Sequence, residues 1–384
     1  MAVLAKGGQA MSSKPIVFLS SHHGVGASES LWLETAAHLA QQGVPVKAGV
    51  TWASWNADRL APLTRAGVKV LHFKQTSLIR RFQRKLSPGH DFEKAALSKL
   101  GDAALVIISQ GNDHSALPWL EACSKLGLKA AVVTHGIVPS DWPNDHLGAR
   151  LRAVFPALAA NYWVSERNQK DFENQIGTRL TQGRVVWNPI KVPRDVSVPW
   201  PAVSDVYSMA CVARLQTRPK GHDLLLQALA LPHWHKRALH LSFFGTGENR
   251  QGLEHLASLL GISERVHFKG HVEGVHEIWR DHHLIAQPSR HEGMPLSLVE
   301  ALMCGRPALV TDVAGHAELV TDGENGFLAE AASVRHINEA LQRAWDQRES
   351  WSIMGVQAAR RIRLQAPVDP ISDFAKELLN LARS

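Results

Sequence analysis

The chain has 384 residues, an apolar fraction of 45% and a charged fraction of 20%, which excludes a disordered or fibrous protein and exceeds what one hydrophobic core organises, so two domains are expected. No apolar run reaches the roughly 20 residues that span a bilayer, and residues 1–13 lack the apolar stretch of a secretory leader, so the expected location is the cytoplasm. A formal net charge of +7 favours anionic partners (nucleotide phosphates, anionic lipid or nucleic acid) without choosing among them.

Residues 14–20 form a short apolar run that leads into a glycine-bearing turn, and the apolar spacing from 28 to 42 predicts a helix. Strand-like runs follow at 44–50, 68–73, 104–109, 130–134 and 162–164, separated by stretches of helical spacing. That alternation predicts a parallel sheet covered by helices. The rhythm stops near Trp187-Asn188-Pro189, where Pro189, Pro193, Pro199 and Pro201 mark a helix-free connector, and the domain boundary is placed there, after residue 190. It resumes with strands expected at 207–212, 239–244, 266–268, 284–286 and 308–310, a second doubly wound domain. Ligands of such sheets bind beyond the carboxyl ends of the strands, so two domains facing a central cleft would place the best site in that cleft. Cys123, Cys211 and Cys304 are far apart and lie in or beside apolar segments, as buried free thiols do in a reducing compartment.

The densest chemistry lies in Pro288-Ser289-Arg290-His291-Glu292-Gly293-Met294-Pro295-Leu296, followed by Glu300. Pro295 is suited to the first position of a helix, where its missing donor costs nothing; this puts Glu292 in a loop and Glu300 in the second helical turn. Free amides at such a helix start bind anions, and Gly293 permits close approach of a ligand to the backbone. A carboxylate accepts paired hydrogen bonds from vicinal hydroxyls, so phosphate and sugar hydroxyls can be held side by side. For either glutamate alone, an exposed residue after a turn is the simpler reading. Arg214, after the first strand of this domain, and Lys220, at the start of the following helix, both lie at the carboxyl edge of the sheet within reach of one diphosphate. Such cations stabilise a leaving nucleoside diphosphate as its charge grows.

Together these residues resemble the retaining glycosyltransferases of family 4. Those proteins carry a glutamate, seven residues and a second glutamate, here Glu292 and Glu300, preceded by an arginine and a lysine, here Arg214 and Lys220. Phe244-Gly245-Thr246-Gly247, Val266-His267-Phe268-Lys269-Gly270 and Gly305-Arg306-Pro307 fall in the family's order, and the resemblance is close over 206–330. It implies a GT-B fold of two Rossmann-like domains, 1–190 on the acceptor side and 191–365 for the nucleotide sugar, with a C-terminal helix in 366–384 packing back on the first. It also implies that Arg214 and Lys220 bind the diphosphate, that Glu300 binds the ribose, and that Glu292 holds the transferred sugar near its 3-hydroxyl. The amides of Gly293, Met294, Pro295 and Leu296 as a segment would touch sugar and phosphate, and the backbone at His271 and Val272 would face the base.

In the first domain, Gly24 and Gly26 lie between a strand and a helix, where backbone amides approach phosphate. The segment resembles the family's Gly-Gly loop, opened by Val25. A dinucleotide fingerprint competes, but its third glycine is replaced by Glu29 and no acid ends the second strand. His135, after the strand at 130–134, resembles the histidine that faces the donor sugar in the family; a structural histidine at a strand end is the alternative. Residues 74–99 carry Arg80, Arg81, Arg84 and Lys85 among apolar side chains, which fits either peripheral contact with an anionic membrane or a solvated helix, and no nucleic-acid motif accompanies them. His233 and His235, like His282 and His283, are read as structural, and no metal site or cofactor is expected.

The expected reaction is a metal-independent transfer, with retention, of a hexose-type sugar from a UDP- or GDP-sugar, UDP ahead, to a saccharide or lipid-linked acceptor in cell-surface polysaccharide or glycolipid synthesis. Two alternatives remain: a sugar-nucleotide epimerase or hydrolase on the same scaffold, and a catalytically silent sugar-nucleotide-binding protein.

Overall fold

A computed structural model describes residues 14–21, 29–51, 56–73, 91–202 and 205–384. The chain divides into two compact units, Met1–Pro189 with Asp369–Ser384, and Ile190–Val368.

The sheet of the first unit has seven parallel strands: β1 (Ile16–Ser20), β2 (Val46–Val50), β3 (Lys69–His72), β4 (Leu105–Gln110), β5 (Ala130–Thr134), β6 (Ala160–Trp163) and β7 (Gly183–Val185). Their order is β3-β2-β1-β4-β5-β6-β7. β1, β4 and β5 are buried along their whole length, which is why they read as unbroken apolar runs rather than alternating ones. The strand order reverses between β1 and β4, which pair from Ile16–Leu105 to Ser20–Ser109. Ligands of doubly wound sheets bind at such a switch point. The helix Ser30–Gln41 covers one face, buried through Leu31, Trp32, Leu33, Ala36 and Leu39. Beside it packs the helix Pro370–Arg383, whose Phe374, Ala375 and Leu378 join the cluster of Phe18, Trp32, Ala36 and Tyr162. A buried aromatic or leucine side chain contributes roughly 1.5–3 kcal/mol each, so this returning helix is a structural part of the first unit.

The sheet of the second unit has six parallel strands: β8 (Tyr207–Val212), β9 (Leu239–Phe244), β10 (Val266–Gly270), β11 (Leu284–Gln287), β12 (Ala308–Thr311) and β13 (Gly326–Ala329). Their order, β10-β9-β8-β11-β12-β13, repeats the reversal of the first sheet, here between β8 and β11. The short strands β7 and β13 escape the sequence reading because each opens on a glycine and has only three or four residues, with Arg184 interrupting β7. Residues 187–202, the proline-marked connector, contain no helix or strand. Cys123, Cys211 and Cys304 are free and buried. Among the described residues, no helix is long and apolar enough to cross a membrane. The loop with Gly24 and Gly26, and the basic residues Arg80, Arg81, Arg84 and Lys85, lie outside the described residues.

Candidate functional site

At the switch point of the second sheet, the segments that follow β8, β9 and β11 are stitched together by backbone contacts. After β8, the Ala213 amide donates to the Phe244 carbonyl at 3.0 Å and the Leu215 amide to the Thr246 carbonyl at 2.9 Å. Gly245, at φ +135°, lies so close that a Cβ would sit 2.1 Å from the Ala213 carbonyl oxygen, so only glycine fits there. Its amide donates to the Gly270 carbonyl at 2.7 Å, which ties in the end of β10 and hence His271, exposed, and Val272, half-buried. Arg214 projects from this junction as an exposed side chain.

Lys220 ends the short helix Thr217–Lys220, whose Thr217 amide donates to Asn249 Oδ1 at 2.9 Å. Gly221 follows with φ +64°, and a Cβ on it would lie 2.0 Å from the Pro288 carbonyl oxygen. The Lys220 turn therefore presses directly on the segment after β11. Pro219 accepts from the Arg290 amide at 2.8 Å, while the Arg290 guanidinium makes a paired bond to Asp223, 2.8 and 2.7 Å, and a third to the Thr217 carbonyl at 2.7 Å. Planar guanidinium and carboxylate matched in this way fix orientation as well as distance. The result is that Lys220 Nζ stands 2.6 Å from Glu292 Oε1.

Glu292 is 8% exposed. Burial works against its charge, but the Lys220 ammonium, His316 and the Ser289 hydroxyl, which donates to the same Oε1 at 2.8 Å, hold its carboxyl below the usual range. His316 is fully buried; its Nδ1 donates to the Thr311 carbonyl at 2.9 Å, and its Nε2 is buried without a hydrogen-bond partner. Burial lowers its pKa, opposed in part by the neighbouring Glu292 carboxylate. Glu300 differs sharply. It lies on the helix Leu296–Met303, and burial, opposed only in part by Lys191, pushes its carboxyl up to about 7. A carboxylate this poorly solvated gains most from hydroxyl donors brought by a ligand. The two glutamates thus lie one turn and a loop apart with their affinities for protons driven in opposite directions.

The loop from Gly293 to Leu296 passes between them, with Met294 and Pro295 buried and Gly293 and Leu296 half-buried. Here the structure corrects the expectation for Pro295: at ψ 103° it is extended and precedes the helix, which starts at Leu296. The first amides of that helix have no carbonyl of their own helix to bond.

In the first unit, His135 follows β5. Its amide donates to the Gln110 carbonyl at 3.2 Å, its Nε2 lies 3.2 Å from Ser109 Oγ, and the side chain is half-buried. The two histidine clusters bond to protein groups: His233 to Asn338, His235 to the Ala230 carbonyl, His282 to the Ile278 carbonyl and His283 to the Ser208 amide. No group of three or more His, Cys, Asp or Glu able to hold a metal ion occurs among the described residues.

The structure thus joins Lys220 with Glu292, and Arg214 with the turn beside His271, within one unit. Sequence reading missed Ser289, Asp223, Arg290 and His316. Ser289 and Arg290 lie within the quoted stretch, and the i, i+3 spacing of Ser289 to Glu292 was a usable signal. His316 sits in a separate short helix, His316–Leu319, that no local spacing links to Glu292.

Residues 199–361 match the family described as Glycosyl transferases group 1, a span that takes in Arg214, Lys220, Glu292 and Glu300. The lipopolysaccharide glucosyltransferase WaaG of Escherichia coli (strain K12) is 33% identical over 138 residues, 35% of this chain and 37% of that protein. A D-inositol 3-phosphate glycosyltransferase of Nocardia farcinica is 34% identical over 160 residues, 39% of this chain and 35% of that protein. The matches therefore span about a third of the length of these curated relatives. Among solved structures, Anabaena Alr3699/HepE in complex with UDP superposes with a TM-score of 0.74 at 18% identity, covering 95% of this chain and 99% of that one. The lipopolysaccharide outer core galactosyltransferase WaaB, in its apo form, gives 0.70 at 18% identity over 95% and 99%. The fold is accordingly GT-B, two Rossmann-like α/β units.

Proposed function

We propose that the protein is a retaining glycosyltransferase of family 4 that moves a hexose-type sugar from a UDP-sugar to a saccharide or lipid-linked acceptor. The observation that carries this reading is the pair of half-buried Lys220 and buried Glu292 at 2.6 Å, set at a sheet switch point inside a segment that matches Glycosyl transferases group 1. The uracil base is favoured by a structural neighbour described as a complex with UDP, and a surface-glycan acceptor by the relative described as a lipopolysaccharide glucosyltransferase.

In this reading Lys220 and Arg214 meet the diphosphate together with the amides from Gly293 to Leu296, as cations and helix amides do for developing anionic charge. Glu292, kept ionised, accepts from a sugar hydroxyl. Glu300 accepts from the ribose hydroxyls, which replace the solvation that burial removed, and the backbone at His271 and Val272 lines the base. His135 is proposed to hydrogen-bond a saccharide hydroxyl at the end of β5. The acceptor oxygen forms its bond to the anomeric carbon as the bond from that carbon to the phosphate oxygen breaks. The acceptor's proton passes to the departing phosphate, and attack from the leaving group's face retains configuration. The charge on the leaving group is met by Lys220 and Arg214, so the proposed transfer needs no metal ion.

A thermal-shift screen of nucleotides and sugar nucleotides tests this, with Lys220→Ala and Glu300→Ala beside the parent. A bound ligand raises the melting point by mass action. Stabilisation by UDP or a UDP-sugar that both variants lose supports the assignment. No shift with any nucleotide, or a shift only with nicotinamide cofactors, overturns it.

A further inference from the structure

Glu292 Oε1 takes two donors, Lys220 Nζ at 2.6 Å and Ser289 Oγ at 2.8 Å, and among the described residues Oε2 takes none. The two donors are held differently. Lys220 reaches in from the turn after β8 on a flexible stem and stays half-buried. Ser289 is buried in the segment after β11, and its carbonyl accepts from Thr311 Oγ1, at the end of β12, at 2.6 Å. On the other flank of Glu292, the Gly293 carbonyl accepts from the Gly315 amide at 3.1 Å. The backbone on both sides of Glu292 is therefore tied to residues 311–315, which leave the carboxyl edge of β12 and do not involve Lys220. Within that stretch Ala314 stands at φ +44°, the one non-glycine residue in the left-handed region among the described residues. Such a conformation is costly for a residue with a Cβ and persists only where its surroundings over-determine it. Here the Gly315 bond to Gly293, and the His316 amide's bond to the Val313 carbonyl at 3.0 Å, close the turn around it.

We propose that Ser289, fixed by Thr311, is the positioning residue that keeps the Glu292 carboxylate in place when Lys220 turns to a diphosphate, so that Oε2 stays available to a sugar hydroxyl. A diphosphate carries more negative charge than one carboxylate, and the ammonium follows the larger charge. A carboxylate that loses its one holder is free to swing about its last bonds. One that keeps a buried hydroxyl on Oε1 retains its plane, and the Ser289 hydroxyl, being neutral, is not drawn away by the phosphates. The same arrangement limits what Oε2 accepts from. With its ammonium partner engaged elsewhere, Glu292 favours an uncharged hydroxyl donor and repels a carboxylate or phosphate at that position of the ring. The role toward the sugar rests on the function proposed above, whereas the holding of Glu292 does not, and two measurements separate them.

The first is a crystal structure of full-length Lys220→Met, which removes the ammonium and leaves the hydroxyl. Glu292 is expected to remain within hydrogen-bond distance of Ser289 Oγ; a carboxylate found turned away from Ser289 overturns the proposal. Lys220→Gln answers the same question if the methionine variant fails to fold. The second is calorimetry of UDP, UDP-glucose, UDP-galactose and UDP-N-acetylglucosamine binding to the parent and to Ser289→Ala. The sugar nucleotide that the parent binds best is expected to weaken about tenfold in the variant, as for the loss of a hydrogen bond to a charged group, while UDP, which lacks the sugar, binds as before. A parallel loss of UDP affinity, as a merely structural role would give, or an unchanged affinity for the sugar nucleotide, overturns the proposal. Thr311→Val, similar in shape but without the hydroxyl, should show a smaller loss with the same selectivity, and it takes the place of Ser289→Ala should that variant not fold. A parent that binds none of these nucleotides, with Glu292 still on Ser289 in Lys220→Met, upholds the holding of Glu292 and overturns the proposed function instead.

Discussion

The two units bring polar side chains to equivalent switch points by opposite means. In the second, charge is matched to charge: Lys220 against Glu292, Arg290 against Asp223. In the first, the corresponding place holds hydroxyl, indole and imidazole groups: the buried Glu29 carboxyl accepts from the Ser20 hydroxyl and the Trp32 indole, and the His135 imidazole meets the Ser109 hydroxyl, with no cation beside that carboxyl among the described residues. Fixed charges suit a partner whose own charge changes during reaction, such as a diphosphate leaving group. Neutral donors and acceptors suit the recognition of hydroxyls, where exchanging a donor for an acceptor matters more than field strength. The units also differ in what holds them. The second closes on its own contiguous residues, whereas the first borrows the helix Pro370–Arg383 from beyond it.

The largest expected effect tests that borrowed helix. Phe374 packs edge-on to Tyr162, ring centroids 5.0 Å apart, and Phe374→Ala should cost about 3–5 kcal/mol. In urea unfolding followed by hydrogen exchange, amides of β1, β4 and β5 should lose protection while those of β8, β9 and β11 keep theirs. Equal losses in both sheets would erase the distinction between borrowed and contiguous closure.

Next in size is the charge pair. Lys220→Ala should reduce kcat for UDP-sugar turnover by about 10²–10³-fold, the range seen when a preorganised charge-stabilising donor is removed, and steady-state kinetics over a set of acceptors would measure it. A loss under tenfold would mean that Lys220 serves Glu292 rather than a ligand.

A third effect is in pH. Glu300 is raised from an ordinary value near 4.5 to about 7 by burial, so the folded state holds its proton over a range where the unfolded chain has lost it. Stability from this group is therefore present below about 4.5 and declines as pH rises toward 7, by about 3 kcal/mol at most. His222 and His283 act in the opposite sense: burial depresses each from 6.5 to about 4, so stability is full above 6.5 and lost as pH falls toward 4. Denaturation of the parent and Glu300→Gln at several pH values should show the variant gaining on the parent between pH 5 and 7. Below pH 6 the second unit, which holds His222 and His283, should unfold before the first. Parallel acid curves for the two units would contradict this.

The smallest effect concerns Arg184 and Glu377, an ion pair with both side chains partly exposed. Arg184→Ala should change stability by less than about 1 kcal/mol, measured by the same unfolding. A larger loss would show that the helix Pro370–Arg383 is held by charge as well as by its apolar face.

How much of this was legible in the sequence follows the same division. Strands buried on both faces announce themselves as apolar runs, so β5, β8 and β9 were placed to the residue, whereas β7 and β13, opened by glycine, were not seen. Arg214, Lys220, Glu292 and Glu300 were singled out because they stand at the spacing of the resembling family, and the structure brings Lys220 against Glu292. Ser289 and His316 support Glu292 by contacts made only in three dimensions. Glu29 was noticed solely as a missing glycine, and its burial against Ser20 and Trp32 depends on contacts between elements that no local pattern encodes.

Because the first unit is assembled from residues on both sides of the second, a ribosome delivers every residue of the second unit before it delivers those that complete the first. The patch of Phe18, Trp32, Ala36 and Tyr162 that Phe374 and Leu378 later cover must therefore wait, incompletely shielded, throughout synthesis of some hundred and eighty intervening residues. Such contacts carry a high closure cost and form late. The nascent first unit is thus the part of this chain most in need of a chaperone, and a stalled message would release a finished second unit attached to an unfinished first.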